Sequence, residues 1–193
     1  MLFTISQEKR DFQDQYHSGW AHNGGLPLEL WWDEGVRFAP VRELAGCRGK
    51  KLLELSAASP GHAAEALAGF SGNRFLLKIR AKAGLLVLGI VNDREKRSVF
   101  YDRDNGRLGV LGPDGKECGR FRGETDRVKP DGEEIRLDLY LDHSMIEAYL
   151  NERKSVTIRN YAGCGKRRLE LSGQIEEIIS LTLWEMNSAY EEG

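Results

Sequence analysis

Strict alternation of apolar and polar side chains between positions 135 and 141 constrains the fold more than any other feature of the sequence. The apolar members of this segment are Ile135, Leu137, Leu139 and Leu141. Residues at every second position share one face of a strand, so the segment predicts a strand with one face on a core. Two further apolar runs follow at 145–150 and 156–158, each after a polar turn. The three runs predict an antiparallel meander.

Turn sequences divide most of the remaining chain into short strand-like runs. Asn105-Gly106 and Asp114-Gly115 are typical of tight hairpins, because asparagine and glycine tolerate the positive φ that such turns need. We expect about a dozen strands at this spacing, with one short helix at residues 60–70. Two pairs of runs are predicted as separate strands: 75–80 with 85–91, and 168–171 with 175–184. The fold class is therefore all-β, a two-sheet antiparallel β-sandwich of the concanavalin A-like or jelly-roll type.

Charge and cysteine content exclude several classes of function. The 193 residues carry a net charge of −2 with dispersed basic residues, which argues against nucleic acid or an anionic membrane as a partner. Cys47, Cys118 and Cys164 have neither disulfide-framework nor zinc-site spacing, and the histidines are scattered. We therefore expect no metal, no cofactor and a reduced, cytoplasmic setting. No apolar run reaches the ~18 residues that a membrane span needs.

Short motifs along the chain carry a family resemblance. In order they are Gly19-Trp20-Ala21, LPLEL at 26–30, GVRFAPVREL at 35–44, Tyr101-Asp102-Arg103, LDHSMIE at 141–147, TIRNY at 157–161 and the run at 180–184. Over residues 19–185 the chain resembles the C-terminal β-sandwich domain of family 32 glycoside hydrolases, a family of invertases, levanases, inulinases and sucrose-6-phosphate hydrolases. Leu28 and Ile158 depart from the arginine and serine usual there.

The resemblance implies that the catalytic machinery lies elsewhere. In the family, a β-propeller carries the nucleophile of W-x-N-D-P-N, the aspartate of R-D-P and the acid of E-C. The E-C of this chain, Glu117-Cys118, lacks the proline that follows in the family, so we predict no catalytic residue here. Nor does any residue pattern nominate the two carboxyls, about 5–5.5 Å apart, that retaining glycosidases use. Residues 1–18 resemble the end of the propeller and its connector, 19–187 the sandwich, and 188–193 a tail.

Four residues of the 142–147 segment form the most tempting polar constellation: Asp142, His143, Ser144 and Glu147. A Ser-His-Asp triad needs groups that converge from separated segments, and the consecutive residues 142–144 cannot supply that geometry. We interpret Asp142 and Ser144 as turn formers that bond local backbone. Glu147 is expected to pair with an arginine across the sheet, and Arg159 is one option.

Trp31 and Trp32 are weak candidates for carbohydrate binding. As neighbours on a strand they should point to opposite faces, one into the core and one outward. An outward tryptophan marks either a ligand surface or a domain interface. The resemblance favours the interface, because residues 20–32 correspond to the junction with the propeller.

Two classes of function remain open. The first is a non-catalytic module that supports the catalytic β-propeller of a glycosidase acting on β-fructofuranosides: sucrose, sucrose 6-phosphate or fructan. The alternative is a free-standing lectin-like carbohydrate-binding module, or a separately encoded subunit. The propeller is the expected partner, and self-association through the exposed junction is a further expectation. A signal peptide ahead of a longer chain would change the compartment.

Overall fold

The computed structural model describes residues 1–6, 12–18, 23–118, 132–161 and 165–189. In chain order, strands β1 to β13 are Ile5–Ser6, Asn23–Gly24, Leu28–Trp32, Val36–Pro40, Arg48–Ala58, Ser71–Gly72, Arg74–Val91, Lys96–Asp102, Arg107–Leu111, Glu134–Asp142, Met145–Leu150, Lys154–Arg159 and Arg167–Met186. The helices are α1 (Phe12–Ser18), α2 (Pro60–Ala68) and a 3₁₀ helix, Arg42–Cys47. The predicted strand content and the helix at 60–70 are confirmed, and two further short helices join them.

Two long strands, β7 and β13, organise the molecule into two layers. Along one edge of β7, residues 74–82 pair with β10 and residues 85–91 pair with β8. Strand β13 accompanies β7 along its other edge. The first layer is therefore β12-β11-β10-β7-β13-β5, and the second continues through the far halves of β7 and β13 to β8, β9 and β6. Every pairing is antiparallel, which confirms the predicted two-sheet sandwich.

A bend lets both halves of β7 face the same core. Its buried core-facing positions are Phe75, Leu77, Ile79, Ala81 and Ala83, then Leu86, Leu88 and Ile90. The change from odd to even positions occurs at Gly84, which the register with β13 skips. On β13, Gly173 has φ +121°, and a Cβ there would collide with the carbonyl oxygen of Leu85. The predicted separate strands at these places are continuous strands. Gly84 lies at a bulge opposite the register shift between Gln174 and Ile175, and pairing continues through Gly173.

The meander lies in the first layer with the predicted face inward. Ile135, Leu137, Leu139 and Leu141 are all at most 2% exposed. Each pairs with β7 on one side and, from Leu137 onward, with β11 on the other. The core below them is closed at one end by α2, whose Ala63 and Leu67 are buried. This helix is capped by Ser59, whose hydroxyl accepts the backbone N–H of His62 at 3.3 Å.

The N-terminal region lies over the outer face of the first layer. Leu2 and Leu28 exchange backbone hydrogen bonds of 2.9 Å, and β1 pairs with β2. Strands β3 and β4 form a separate hairpin, tied to the sandwich by the Phe38 N–H, which donates to the carbonyl of Glu152 at 2.7 Å. All six residues of β11 are buried as a result, three of them on the outward face. The assignment of residues 1–18 to a propeller connector stays a prediction.

Candidate functional site: the outer face of the first layer

A buried carboxylate lies at the centre of this outer face. Glu147 projects outward from β11, yet it is only 4% exposed, because residues 23–27 pass over it. Its two oxygens accept hydrogen bonds from the backbone N–H of Leu26 at 2.9 Å and from the hydroxyl of Tyr149 at 2.6 Å. Burial raises the pKa of Glu147, and the two hydrogen bonds oppose that rise. Glu147 therefore fastens the N-terminal segment to the sandwich.

Two tyrosines pack beside this carboxylate. Tyr140 and Tyr149 make an edge-on contact with ring centroids 6.1 Å apart, and Phe38 contacts the Tyr149 ring at 6.5 Å. Burial raises the pKa of both tyrosines, and the charge of Glu147 raises the pKa of Tyr149 further. The Tyr149 hydroxyl is therefore kept protonated as a donor to Glu147.

The structure places Asp142 and Ser144 at an exposed turn. Oδ1 of Asp142 lies 2.7 Å from Nδ1 of His143, and His143 adopts a left-handed backbone with φ 51°. The turn is held by backbone bonds of 2.7 Å, from the His143 N–H to the Asn73 carbonyl and from the Asn160 N–H to the Ser144 carbonyl. These contacts agree with a role in forming the turn, although the Asp142 carboxylate contacts the histidine ring where a backbone bond was expected.

Arg159 occupies a different position from the one suggested by the sequence. In the register, Arg159 lies opposite Met145, and Thr157 lies opposite Glu147. The guanidinium lies 3.5 Å from the Met145 sulfur, donates to the Tyr161 hydroxyl at 3.2 Å and stands 5.1 Å from the Tyr161 ring centroid. The hydrogen bonds of Glu147 thus go to Leu26 and Tyr149, where the sequence suggested Arg159.

The prediction that one of Trp31 and Trp32 enters the core is wrong. Trp31 is 37% exposed and Trp32 is 78% exposed. The physical reason is that β3 belongs to a hairpin outside the two layers, so its alternation does not separate core from solvent. Arg37 fixes this hairpin by donating to the carbonyl of Asn151 at 3.2 Å, and Arg153 donates to the carbonyl of Glu34 at 3.3 Å.

Exposed apolar side chains are concentrated at the N-terminal end of the described chain. Ten of the eleven large exposed hydrophobic residues lie within positions 1–36. They are Met1, Leu2, Phe3, Ile5, Phe12, Tyr16, Leu30, Trp31, Trp32 and Val36. We call this set the N-terminal apolar surface. Trp20 and the Gly19-Trp20-Ala21 motif lie outside the described residues.

A cleft of about 530 Å³ separates residues 39–48 from the outer face of β10, β7 and β13. Tyr140, Tyr149 and Trp184 contribute aromatic walls. The sheet contributes two ion-paired groups: Lys78 with Asp138 at 2.6 Å, and Arg80 and Arg136 with Glu134 at 2.7 and 2.9 Å. Sequence reasoning did not identify this site. The only signal was the run of polar and aromatic residues on the outward positions of β10.

Glu117, the glutamate of the E-C sequence, contacts residues of a neighbouring strand. The Glu117 carboxylate forms an ion pair with Arg107 at 2.7 Å, and a backbone bridge joins Glu117 to Leu111. Cys47 and Cys118 are free thiols, and Cys164 lies outside the described residues. In the part of the chain that the structure describes, no three metal-ligating side chains cluster, and none of the helices is long and apolar enough to span a membrane.

Two antiparallel layers sharing two bent strands, with an N-terminal hairpin over one face, define a β-sandwich module. The chain belongs to the family described as glycosyl hydrolases family 32 C terminal, whose model matches residues 46–185. A search of curated protein sequences finds no match.

Solved structures share this fold. Fructan 1-exohydrolase IIa from Cichorium intybus matches with a TM-score of 0.67 and 18% identity, over 97% of this chain and 45% of that one. Sucrose-6-phosphate hydrolase from Lactobacillus gasseri matches at 0.66 and 19%, over 96% and 38%. A family 32 β-fructofuranosidase from Bombyx mori matches at 0.64 and 17%, over 89% and 34%. This chain therefore spans less than half the length of these enzymes.

Proposed function

We propose that this chain is the non-catalytic C-terminal sandwich module of a glycoside hydrolase that acts on β-fructofuranosides, and that it supports a catalytic β-propeller by packing against it. The observation that carries the proposal is the N-terminal apolar surface: among the described residues, ten of the eleven large exposed hydrophobic side chains lie within positions 1–36. Domain interfaces within a chain typically bury about 600–1,500 Å². Exposed apolar side chains are the expected counterpart of such an interface when no partner covers them.

The chemistry of the described residues supports a non-catalytic role. The E-C glutamate, Glu117, is held in an ion pair with Arg107 at 2.7 Å. Glu147 carries the most deeply buried carboxylate of the outer face, and that carboxylate accepts hydrogen bonds from Leu26 and Tyr149. Both carboxylates have partners within the module. The free thiols of Cys47 and Cys118 agree with a cytoplasmic setting, which we include in the proposal.

The decisive experiment combines this chain with a separate propeller polypeptide. A polypeptide that carries the W-x-N-D-P-N, R-D-P and E-C motifs, taken from the genomic surroundings of this chain, is coexpressed with it. We expect an equimolar complex that hydrolyses sucrose or a fructan, with a propeller that unfolds at a lower temperature when this chain is left out.

The matched variants test the surface. A Trp31→Ser, Trp32→Ser double variant should weaken the complex, whereas Leu52→Ser, at an exposed leucine outside the surface, should not. The proposal would be overturned if the stability and activity of the propeller were the same with and without this chain.

The lectin-like alternative rests on the exposure of Trp32, which is 78% exposed and offers a ring that could stack on a sugar. Titration of the chain with 1-kestose, followed by tryptophan fluorescence, separates the two functions. Quenching that Trp32→Ser abolishes would favour the lectin. Unchanged fluorescence together with complex formation would favour the supporting module.

A further inference from the structure

The cleft beneath residues 39–48 has the dimensions of a small-molecule site. Its volume of about 530 Å³ falls within the roughly 300–1,000 Å³ of typical ligand pockets. The floor consists of outward side chains on three paired strands, among them Lys78, Tyr140 and Thr182. The roof is the 3₁₀ helix Arg42–Cys47 and the residues just before it. Strands hold such side chains more rigidly than loops do, so the cleft is preformed.

The walls combine aromatic rings with fixed polar groups. Tyr140, Tyr149 and Trp184 present rings, and the Tyr149 hydroxyl is already bonded to Glu147. The carboxylate of Glu134 holds Arg80 through two bonds of 2.7 and 2.9 Å, and that of Asp138 holds Lys78 at 2.6 Å. Paired arginines and lysines keep further N–H groups available for hydroxyl ligands. Ring faces beside oriented donors and acceptors suit a saccharide, which has C–H faces and hydroxyl edges.

The charge of the cleft indicates that its ligand carries a negative group. Five cationic side chains line it, Arg42, Arg48, Lys78, Arg80 and Arg136, against the two carboxylates of Asp138 and Glu152. Glu134 and Glu29, which lie beside the cleft, bind Arg80, Arg136 and Arg42. One positive charge stays in excess.

Arg48 carries that excess charge. Among the described residues it has no carboxylate partner, its guanidinium stands 5.0 Å from the Trp184 ring centroid, and its Nε is buried without a hydrogen-bond acceptor.

We propose that this cleft binds a short saccharide that carries one anionic group, a phosphate or a carboxylate, with the anion beside Arg48 and a sugar ring against the aromatic wall. This site is separate from the N-terminal apolar surface, so it stands or falls independently of the supporting role.

The test is an NMR titration of the full chain with two matched pairs: glucose 6-phosphate against glucose, and galacturonic acid against galactose. We expect each anionic sugar to shift the signals of cleft residues and to bind about tenfold or more tightly than its neutral partner, since a hydrogen bond to a charged group is worth that factor. The tighter anionic sugar identifies phosphate or carboxylate as the natural group. Inorganic phosphate alone should bind more weakly than glucose 6-phosphate.

Variants decide whether Arg48 and the cleft are responsible. Arg48→Gln should remove the preference for the anionic sugars, whereas Arg107→Gln, which removes an ion-paired arginine outside the cleft, should keep it. Thr182→Tyr fills the floor and should abolish binding with Arg48 intact, which keeps the test valid if Arg48→Gln fails to fold. The Trp31→Ser, Trp32→Ser variant should bind like the wild type.

Three results would overturn the proposal. The first is equal affinity for anionic and neutral sugars. The second is binding of inorganic phosphate as tight as that of glucose 6-phosphate, which would show an ion site only. The third is the absence of any saccharide shift while a propeller polypeptide protects the cleft amides, which would make the cleft part of a protein interface.

Discussion

The carboxylate of Glu147 accepts the backbone N–H of Leu26 at 2.9 Å, although 121 positions separate the two residues along the chain. This bond closes the N-terminal segment over the outer face of β11, and the Tyr149 hydroxyl completes the contact at 2.6 Å. Glu147 is buried beneath this segment and accepts two hydrogen bonds. The stability of the fold should therefore depend on the protonation of its carboxylate, and so on pH.

Glu147→Gln should change how stability depends on pH. Because burial raises the folded-state pKa of Glu147 above its ordinary 4.5, its contribution is fully present below about pH 4.5 and is lost as pH rises through the folded-state pKa. The glutamine stays neutral, accepts the Leu26 N–H and can donate to Tyr149. In urea unfolding between about pH 4 and pH 8, the free energy of unfolding of the variant should increase relative to that of the wild type as pH increases. A constant difference would contradict the raised pKa.

Glu147→Ala should destabilise the chain at every pH in the same series. The change leaves the Leu26 N–H and the Tyr149 hydroxyl without their acceptor, which costs about 1–3 kcal/mol per unsatisfied buried group. A variant as stable as the wild type would show that water replaces the carboxylate and that the segment is not fastened at this point.

Glu134→Gln should show the opposite pH dependence. Hydrogen bonding to Arg80, followed by Arg136 and the two positive charges, lowers the pKa of Glu134 from 4.5 to about 2 despite partial burial. Its stabilisation is therefore present above about pH 4.5 and is lost as pH falls toward 2. The stabilities of wild type and variant should converge on acidification. The difference at neutral pH should be modest and should shrink in about 1 M salt, because the pair is exposed.

Leu139→Ala should cost about 2–5 kcal/mol in the free energy of unfolding, because this leucine is fully buried between the layers. Leu52→Ala, at an exposed leucine, is the control and should stay within about ±0.5 kcal/mol. Denaturant unfolding with an unchanged m-value provides the measurement. A cost for Leu139→Ala as small as that of the control would place β10 at the periphery of the core.

The purified chain should not hydrolyse sucrose, sucrose 6-phosphate, inulin or levan above the buffer background. The reason is that the given sequence contains neither the W-x-N-D-P-N nor the R-D-P motif of the family's catalytic propeller, and its E-C sequence, Glu117-Cys118, lacks the proline that follows in the family. Release of fructose, measured enzymatically over long incubation, is the assay. Turnover that disappears in Glu117→Gln would show that the E-C match is catalytic after all.

Self-association through the N-terminal apolar surface is expected at high concentration when no partner covers it. Sedimentation velocity at about 100 μM should show a dimer or larger species for the wild type and less of it for the Trp31→Ser, Trp32→Ser variant. A wild type that remains monomeric under these conditions contradicts the expectation.

The sequence by itself determined the elements whose signal is local. Alternation placed Ile135, Leu137, Leu139 and Leu141 on one face, and the structure buries all four. The helix predicted at residues 60–70 is present as Pro60–Ala68, and the structure shows Ser59 capping it with Pro60 in the first turn. The order of short motifs also indicated the family, because such motifs are a property of the local sequence.

Only the tertiary structure decided which surfaces meet. Whether Gly84 and Gly173 end a strand depends on the strand that pairs across them, and the pairing of β7 with β13 continues past both. The exposure of both Trp31 and Trp32 follows from the hairpin lying outside the layers. The partner of Glu147 and the cleft around Arg48 arise where segments distant in sequence cross the outer face. Periodicity specifies the two faces of a strand, but what covers an outward face is set by long-range packing.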